Sequence, residues 1–342
     1  MKQRFYFLLI ALFCLLLILI LVLDLCLGSV HIPFKETLRI LMGSSGQESW
    51  TYIVLQMRLP RALTAILAGS GLSVTGLMMQ TYFRNPLAGP YVLGISSGAS
   101  LGVAVYVMAF GIIGFAGRSV IYNSGQALSA VLGAVIIFLC IMFLAFRIRD
   151  SVSLLIVGIM FGSLTTAIVS ILQYFSSPEL VQKFVIWTMG SLSSSDWNQI
   201  LIITCFVLPG IVLSLVLIKP MNALLLGELN AKATGVNLVR TRYLILFSSS
   251  IITGTLTAFT GPIAFIGIIV PHGSRMILNT TNHRLLVPMC IINGAVFMLC
   301  CDLISQVPGT YIVLPINAIT ALFGAPVVLW IILGNRKMKS AF

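Results

Sequence analysis

Ten stretches of this chain are apolar enough to cross a lipid bilayer, and they take up most of its 342 residues. The hydrocarbon core of a bilayer is about 30 Å thick, so a helix that crosses it needs roughly 20 apolar residues. Several uninterrupted, uncharged runs meet that length. The sequence therefore predicts an all-α, polytopic membrane protein with ten transmembrane helices in a single domain, residues 1–342.

Composition supports this class and excludes others. Hydrophobic residues make up 59% of the chain and charged residues 8%, whereas soluble domains carry about 25% charged residues. The net charge of +12 is the one expected of basic loops that flank apolar spans, so it does not indicate nucleic-acid binding. The seven cysteines show no metal-ligand spacing and are predicted to be small core residues.

Charges, prolines and glycines set the limits of the spans. The long uncharged run 243–274 is divided near its middle by Gly261 and Pro262, which predicts two helices there. The segment 184–195 is apolar but too short to cross, and it fits a re-entrant or interfacial turn. The predicted spans are residues 5–27, 62–83, 91–114, 124–146, 152–175, 197–218, 240–260, 262–278, 285–304 and 314–333.

Basic residues indicate the orientation of the chain. An even number of spans leaves both termini on one side, and placing them in the cytoplasm puts most of the lysines and arginines on the cytoplasmic side, as the positive-inside rule requires. Merging the seventh and eighth spans would move Arg275 and Arg284 outside and weaken this bias. Ten spans with both termini cytoplasmic is the better prediction.

Several kinds of chemistry are missing from the sequence. It contains no G-x-x-x-x-G-K-[ST] loop for a nucleotide phosphate and no H-E-x-x-H motif for zinc. No nucleophile with a positioned base stands out within a span, which disfavours an intramembrane enzyme. The three histidines, His31, His272 and His283, are scattered, so a structural or interfacial role is favoured over metal binding. We expect no metal site and no cofactor.

Only two acidic residues, Asp24 and Asp302, lie within spans, and each is close to the outer end of its helix. Ion-coupled transporters usually place carboxylates or paired charges near the middle of the bilayer, so a secondary transporter is disfavoured. For Asp302 we favour a helix-end residue that is hydrogen-bonded within the bundle over a residue that contacts substrate.

A segment rich in small and polar residues connects the second and third spans. Asn85 and Pro86 open a rigid inner turn, and a glycine- and serine-rich helix start follows it. Close helix packing explains most small residues in spans, but irregular polar backbone at this depth must be buried or line a cavity. The candidate residues of a pathway are Asn85, Pro86, Gly94, Ser96, Ser97 and Gly98.

Two further segments carry charge or shape that points to partners. The pair Arg58 and Arg61 stands at an outer helix entrance, against the charge bias, and is expected to face outer water, where it would attract an anionic partner; anchoring to lipid headgroups is the alternative. Pro60 between them suits helix initiation. In the longest cytoplasmic loop, Gly227–Val236 predicts a short helix ended by Gly235, with small and apolar faces available to a partner.

These segments resemble, in order and nearly chain-wide, the FecCD-type permease family of type II ATP-binding-cassette importers, which take up iron-siderophore complexes, haem and cobalamin. The matching motifs are Arg58-Leu59-Pro60-Arg61, Arg84-Asn85-Pro86-Leu87-Ala88, Leu93-Gly94-Ile95-Ser96-Ser97-Gly98-Ala99, Met189-Gly190-Ser191-Leu192, Gly227-Glu228 to Gly235-Val236, Gly261-Pro262-Ile263-Ala264-Phe265-Ile266-Gly267, Val270-Pro271-His272, His283-Arg284-Leu285-Leu286-Val287-Pro288 and Thr320-Ala321-Leu322-Phe323-Gly324-Ala325-Pro326.

The resemblance implies a homodimer in the bacterial cytoplasmic membrane, with the pathway between the subunits, two ATPase subunits inside, and a periplasmic or lipid-anchored substrate-binding protein outside. ATP hydrolysis would belong to the ATPase, so this chain would not itself be an enzyme. Arg58 and Arg61 match cations that receive glutamates of the binding protein. The family's coupling helix, which sits in a cleft on the ATPase, is matched by Gly227, Glu228, Ala231, Gly235 and Val236.

Two positions depart from the family pattern. Gln306 stands where relatives often carry an arginine after the aspartate matched by Asp302, and Val313 replaces a usual acidic residue before Leu314. Docking through a third outer cation is therefore not expected. Iron-siderophore uptake is favoured as the commonest family role, with haem or cobalamin uptake as the alternative.

Overall fold

The computed structural model describes residues 2–43, 47–109, 119–148, 150–193, 196–307, 309–310 and 312–334, and every regular element among them is a helix. The α-helices are α1 Lys2–Cys26, α2 Phe34–Leu41, α3 Glu48–Tyr52, α4 Leu59–Phe83, α5 Ile95–Ala104, α6 Ser119–Arg147, α7 Ser151–Tyr174, α8 Pro178–Thr188, α9 Trp197–Val216, α10 Ile218–Leu225, α11 Glu228–Ala233, α12 Leu238–Thr260, α13 Ile266–Leu278, α14 His283–Ser305 and α15 Ile316–Gly334.

Helix α4 lies at the centre of the bundle. It packs against α14, α13, α9 and α12, and nearly all of its side chains are buried. By contrast, α1 packs on α14 at the periphery and leaves most of its leucines and phenylalanines exposed. Helices α6 and α7 are likewise exposed over much of their length, so lipid or another subunit covers them.

Glycines let α4 approach its neighbours at backbone distance. A Cβ on Gly76 would collide with the carbonyl oxygen of Gly267 on α13, and a Cβ on Gly69 would collide with that of Gly294 on α14. Hydroxyls cross the same contact, because Ser70 donates to the carbonyl of Ile291 at 2.9 Å. In lipid, where apolar burial does not drive helix association, such close packing and interhelical hydrogen bonds hold helices together.

Pro60 is the second residue of α4, but the helical path begins upstream of it. Helix α3, a π-helical turn over Ile53–Arg58 and α4 form one continuous helical path from Glu48 to Phe83. Pro60 therefore stands in the first turn of α4, where proline was expected to suit helix initiation, although the helical path continues upstream of it through the π-helical turn. Proline has no backbone N–H, so it cannot donate the helical hydrogen bond to residue i−4. A π-helical turn is one of the features that interrupt the regular α-helical hydrogen bonds within a longer helix.

The other span limits lie close to the predicted ones. The break predicted at Gly261 and Pro262 is confirmed, because α12 ends at Thr260 and α13 begins at Ile266. In the third span, α5 and a π-helical turn over Val105–Ala109 are described, and residues 110–114 of the prediction lie outside the described residues.

The count of crossings stays a prediction. Among the described residues, seven helices are long and apolar enough to cross a bilayer, and three shorter apolar helices, Ile95–Ala109, Ile266–Leu278 and Ile316–Trp330, lie at other predicted spans. The segment predicted as a re-entrant or interfacial turn is partly helical: α8 reaches Thr188, and Gly190 then turns the chain with φ +73°. Residues 194 and 195 of that segment lie outside the described residues.

Candidate functional site

Arg58 lies inside the outer end of the bundle. Its side chain is 6% exposed, and it donates from Nη1 to the carbonyl of Leu25 at 2.8 Å and from Nη2 to the carbonyl of Val30. These carbonyls belong to the end of α1 and the turn that follows it. The prediction that Arg58 faces outer water is wrong, because the guanidinium satisfies backbone carbonyls that the end of α1 leaves free.

Arg61, one helical turn further on, is also engaged within the chain. Its Nε lies 2.9 Å from both carboxylate oxygens of Asp302, and its Nη2 lies 2.7 Å from Oδ1 of the same residue. Nη2 also donates to Ser305 and Nη1 to Ser193, each at 2.8 Å. Only 11% of the Arg61 side chain is exposed. The expectation that Arg61 stands free in outer water is therefore wrong as well.

Gln306 joins the two carboxylates of this cluster. Its Nε2 lies 3.0 Å from Oδ1 of Asp24 and 3.2 Å from Oδ2 of Asp302, and all three side chains are buried. Oδ2 of Asp24 is buried without a hydrogen-bond partner among the described residues. The expectation for Asp302, a helix-end residue hydrogen-bonded within the bundle, is confirmed. We call Asp24, Arg58, Arg61, Asp302 and Gln306 the outer cluster.

At the inner end, the predicted short helix is present as α11, which spans Glu228–Ala233. Gly235 ends it with φ +81°. The amide of Gly235 donates to the carbonyl of Lys232 at 2.9 Å, and the amide of Val236 donates to that of Ala231 at 3.1 Å. This pair of bonds is the Schellman motif, in which a left-handed residue, usually glycine, closes the helix.

Helix α11 exposes one face and anchors the other. Glu228 and Leu229 are exposed, the latter by 84%, whereas Ala231 is fully buried. Val236 packs against the same core cluster as Ala231. An added Cβ on Gly235 would meet nothing within 4 Å, so the outside of the turn is open. The arrangement presents a short, firmly ended helix at this end of the bundle.

The element that carries α11 reaches the centre of the bundle. Helix α10 packs on α11, α4 and α14. Arg84, in the left-handed conformation at the end of α4, donates to the carbonyl of Leu224 on α10 at 3.3 Å. His283 at the start of α14 bonds to Asn222 and Thr81, each at 2.8 Å. The structural role favoured for this histidine is confirmed.

The candidate pathway residues separate into different environments. Asn85 accepts a hydrogen bond from the amide of Leu87 at 2.9 Å, which fixes the inner turn, and Pro86 beside it is half-buried. Gly94 is buried with φ +70°, and a Cβ there would lie 2.9 Å from the carbonyl oxygen of Gly158 on α7. These residues fix the backbone turn that leads into α5 and do not form an open surface.

The three residues that follow on α5 face three ways. Ser96 is buried and accepts a 3.4 Å hydrogen bond from Thr257 on α12. Gly98 is buried against Gly133 on α6. The prediction that Ser96 and Gly98 line a pathway is not supported, because neighbouring helices cover both. Ser97 lines a cavity.

That cavity, of about 580 Å³, opens between Ser97 and one face of α7. Glycines and hydroxyls line it on α7, and none of its described lining residues is charged. The hydroxyls of Ser163, Thr166 and Ser170 bond to carbonyls of their own helix at 2.9–3.2 Å. Sequence reasoning missed these three exposed residues, although their i, i+3, i+7 spacing on an otherwise apolar helix is a signal that could have found them.

No group of three histidine, cysteine, aspartate or glutamate side chains among the described residues could hold a metal ion. The site is therefore made of three parts on one bundle: the outer cluster, the cavity beside α7, and the exposed helix α11. Together with the apolar helices, these parts define a polytopic membrane protein with a buried charged cluster at one end and an exposed short helix at the other.

The chain belongs to the FecCD transport family, whose model matches residues 15–334. It is 34% identical to the hemin transport system permease protein HmuU of Yersinia pestis over 94% of this chain and 96% of that protein. It is 33% identical to the vitamin B12 import system permease protein BtuC of Klebsiella pneumoniae over 94% of this chain and 92% of that protein.

A solved structure gives the same result. A chain of a putative metal-chelate type ABC transporter in an inward-facing conformation matches with a TM-score of 0.82 at 30% identity, covering 95% of this chain and 98% of that chain. The protein is thus a multi-pass membrane permease of the type II ABC importer class.

Proposed function

We propose that this chain forms a homodimeric permease that carries an iron(III)-siderophore complex across the bacterial cytoplasmic membrane, with both termini in the cytoplasm. Two ATPase subunits bind inside and a substrate-binding protein docks outside. The observation that carries this proposal is α11: a short helix with an exposed face, ended by a Schellman motif and seated on α10. Residues 335–342, which include Arg336, Lys337 and Lys339 near the predicted cytoplasmic C-terminus, lie outside the described residues.

The coupling path runs through two helices. Because α10 packs on both α4 and α14, a push on α11 acts on the inner ends of these helices. Their outer ends are joined by Arg61 and Asp302. The proposal therefore assigns ATPase coupling to Gly227, Glu228, Ala231, Gly235 and Val236, without assigning any catalytic residue to this chain.

The exposed face of α7 supports a pathway between two copies. An exposed row of glycine, serine and threonine suits close contact with another helix, and small, weakly polar walls also suit a passage for a bulky chelate. The cavity beside Ser97 has such walls and no charged residue among its described lining. Haem and cobalamin, named for the relatives HmuU and BtuC, are the alternative cargoes.

The outer cluster supports a narrower docking role than the sequence predicts. Arg61 meets the surface at Ser193, which is exposed, so we assign docking of the binding protein to Arg61. Arg58 holds the turn after α1 and acts in docking only by supporting that surface. Gln306 and Val313 contribute no charge there.

Reconstitution separates the candidates. The purified chain is placed in proteoliposomes with and without its ATPase and binding protein, and uptake of an iron-55 siderophore, of haem and of cobalt-57 cobalamin is measured. ATP-dependent uptake of the siderophore, without uptake of haem or cobalamin, supports the proposal. Preferential uptake of haem or cobalamin would identify that compound as the cargo instead. Uptake driven by an ion gradient without ATP would instead establish a secondary transporter.

A further inference from the structure

We propose that Asp302 masks Arg61: the buried carboxylate competes with the binding protein's own carboxylate for the guanidinium, so docking requires an exchange of partners. This inference rests on the proposed docking of a binding protein at Arg61. It adds Asp302 as a positioning residue that sets how strongly this permease holds its partner, with Gln306 as the residue that makes the exchange possible.

The geometry leaves Arg61 little capacity for a second partner. All three of its guanidinium nitrogens donate within the chain, and two of them donate to Asp302. Asp302 is fully buried, so it cannot follow Arg61 to the surface. An incoming carboxylate can replace the exposed hydroxyl of Ser193 at Nη1, but a bidentate contact of the kind that arginine favours with carboxylates needs the nitrogens that Asp302 holds.

Charge balance points the same way. Arg61 and Asp302 form an ion pair whose formal charges cancel, and Gln306 beside Asp302 is neutral. A distant acidic partner therefore meets little net charge from Arg61, and its steering by long-range attraction is weak. The contribution of Arg61 to docking appears only at contact, after its pair with Asp302 has opened.

The cluster also keeps Asp302 from being stranded when Arg61 leaves. A buried carboxylate without partners is costly, but Asp302 retains Gln306 Nε2 at 3.2 Å and the Ser305 hydroxyl at 3.4 Å. These neutral donors lower the cost of releasing Arg61. The arrangement is therefore suited to reversible exchange.

The first test needs no partner. The full chain in nanodiscs is treated with phenylglyoxal, which modifies free guanidinium groups, and labelling of Arg61 is followed by peptide mass spectrometry. The isosteric Asp302→Asn variant should label Arg61 about five- to tenfold faster than wild type, whereas Arg39, whose side chain is 54% exposed, should label equally in both. Equal labelling of Arg61 in the two proteins overturns the masking.

The second test measures docking of the purified cognate substrate-binding protein to the permease in nanodiscs. Each unmasked Arg61 adds an exposed ion pair, which is worth at most about fivefold in affinity, and a homodimer carries two. Asp302→Asn should therefore bind more tightly by about five- to 25-fold, and Arg61→Gln in the same background should remove the gain. A merely structural Asp302 predicts weaker docking on substitution, and that outcome overturns the proposal.

A third variant keeps the proposal testable if Asp302→Asn fails to fold. Gln306→Arg keeps Asp302 and offers it another cation, so it should also speed labelling of Arg61 and tighten docking. If Asp302→Asn does not fold, Gln306→Arg decides, and unchanged labelling in it overturns the masking. If labelling rises in either variant but no variant binds the partner, Asp302 masks Arg61 and the proposed docking function is wrong.

Discussion

At the residue scale, the two outer arginines show that the buried partners of a charged side chain determine its role. Arg58 bonds to backbone carbonyls, whereas Arg61 bonds to a carboxylate 241 positions away in sequence. A buried hydrogen-bonded charge costs stability mainly when its partner is removed and the remaining group is left unpaired. The two residues therefore differ in what their removal does.

Arg58→Gln should lower the free energy of unfolding by about 1–3 kcal/mol, because the carbonyls of Leu25 and Val30 lose a charged donor in a buried site. Unfolding of the purified protein by sodium dodecyl sulfate, followed by circular dichroism, measures the change. Arg39→Gln is the matched control, since its pair with Glu36 is exposed and is worth less than about 1 kcal/mol. An equal effect of both substitutions contradicts the anchoring role.

At the element scale, the sequence predicted most helix limits and the shape of α11, because charges, prolines and glycines act locally. Gly235 and Gly261 both stand at helix ends with positive φ, as their positions suggested. The partners of Arg58 and Arg61 were not predictable in the same way. Every residue has a backbone carbonyl, so the sequence does not show which carbonyls Arg58 contacts. The pairing of Arg61 with Asp302 depends on how α4 and α14 pack.

Gly235→Val should uncouple ATP hydrolysis from transport, because a β-branched residue in the left-handed region costs about 1–2 kcal/mol and reshapes the end of α11. Gly235→Asn is the matched control, since asparagine adopts that conformation readily, and an added Cβ meets nothing within 4 Å. ATPase and uptake rates are compared in proteoliposomes. Normal uptake by Gly235→Val would remove α11 from the coupling role.

Gly76→Ala should lower the free energy of unfolding by about 1–3 kcal/mol, as overpacking does, because the new methyl group meets the carbonyl oxygen of Gly267. Gly162→Ala is the control on α7, where the added Cβ lies an ordinary 3.5 Å from Ser97. The same detergent unfolding assay measures both. If the two variants are equally stable, α4 and α13 are not held at backbone distance.

At the scale of the whole molecule, α4 and α14 connect the two ends of the protein. Their inner ends meet α10, which carries α11, and their outer ends meet in the outer cluster. Relative movement of these two helices would therefore change the structure at both ends: at α11, where the ATPase is proposed to bind, and at the pair of Arg61 with Asp302. The cavity on α7 lies to one side of this pair and faces outward, where a second copy is proposed.

Thr166→Trp should reduce uptake at least tenfold without changing the amount of protein in the membrane, because the indole would project into the cavity beside Ser97 and narrow the proposed pathway. Leu164→Trp places the same group on an exposed position of the same helix that does not line the cavity, and it should transport normally. Uptake of the cargo into proteoliposomes is the measurement. Equal rates for the two variants would move the pathway away from this face.

The central position of α4 has a consequence for biosynthesis. Ribosomes make this helix early, but the helices that cover it, α9, α12, α13 and α14, are all made later. Until residues 283–305 emerge, Ser70 and Ser73 lack the carbonyl partners on α14 to which they donate. The half-made protein must therefore hold its future core against lipid or an insertion factor, and chains released at residue 282 should be degraded faster in cells than the full-length protein. A pulse-chase comparison measures this difference, and equal lifetimes would show that α4 needs no late partner.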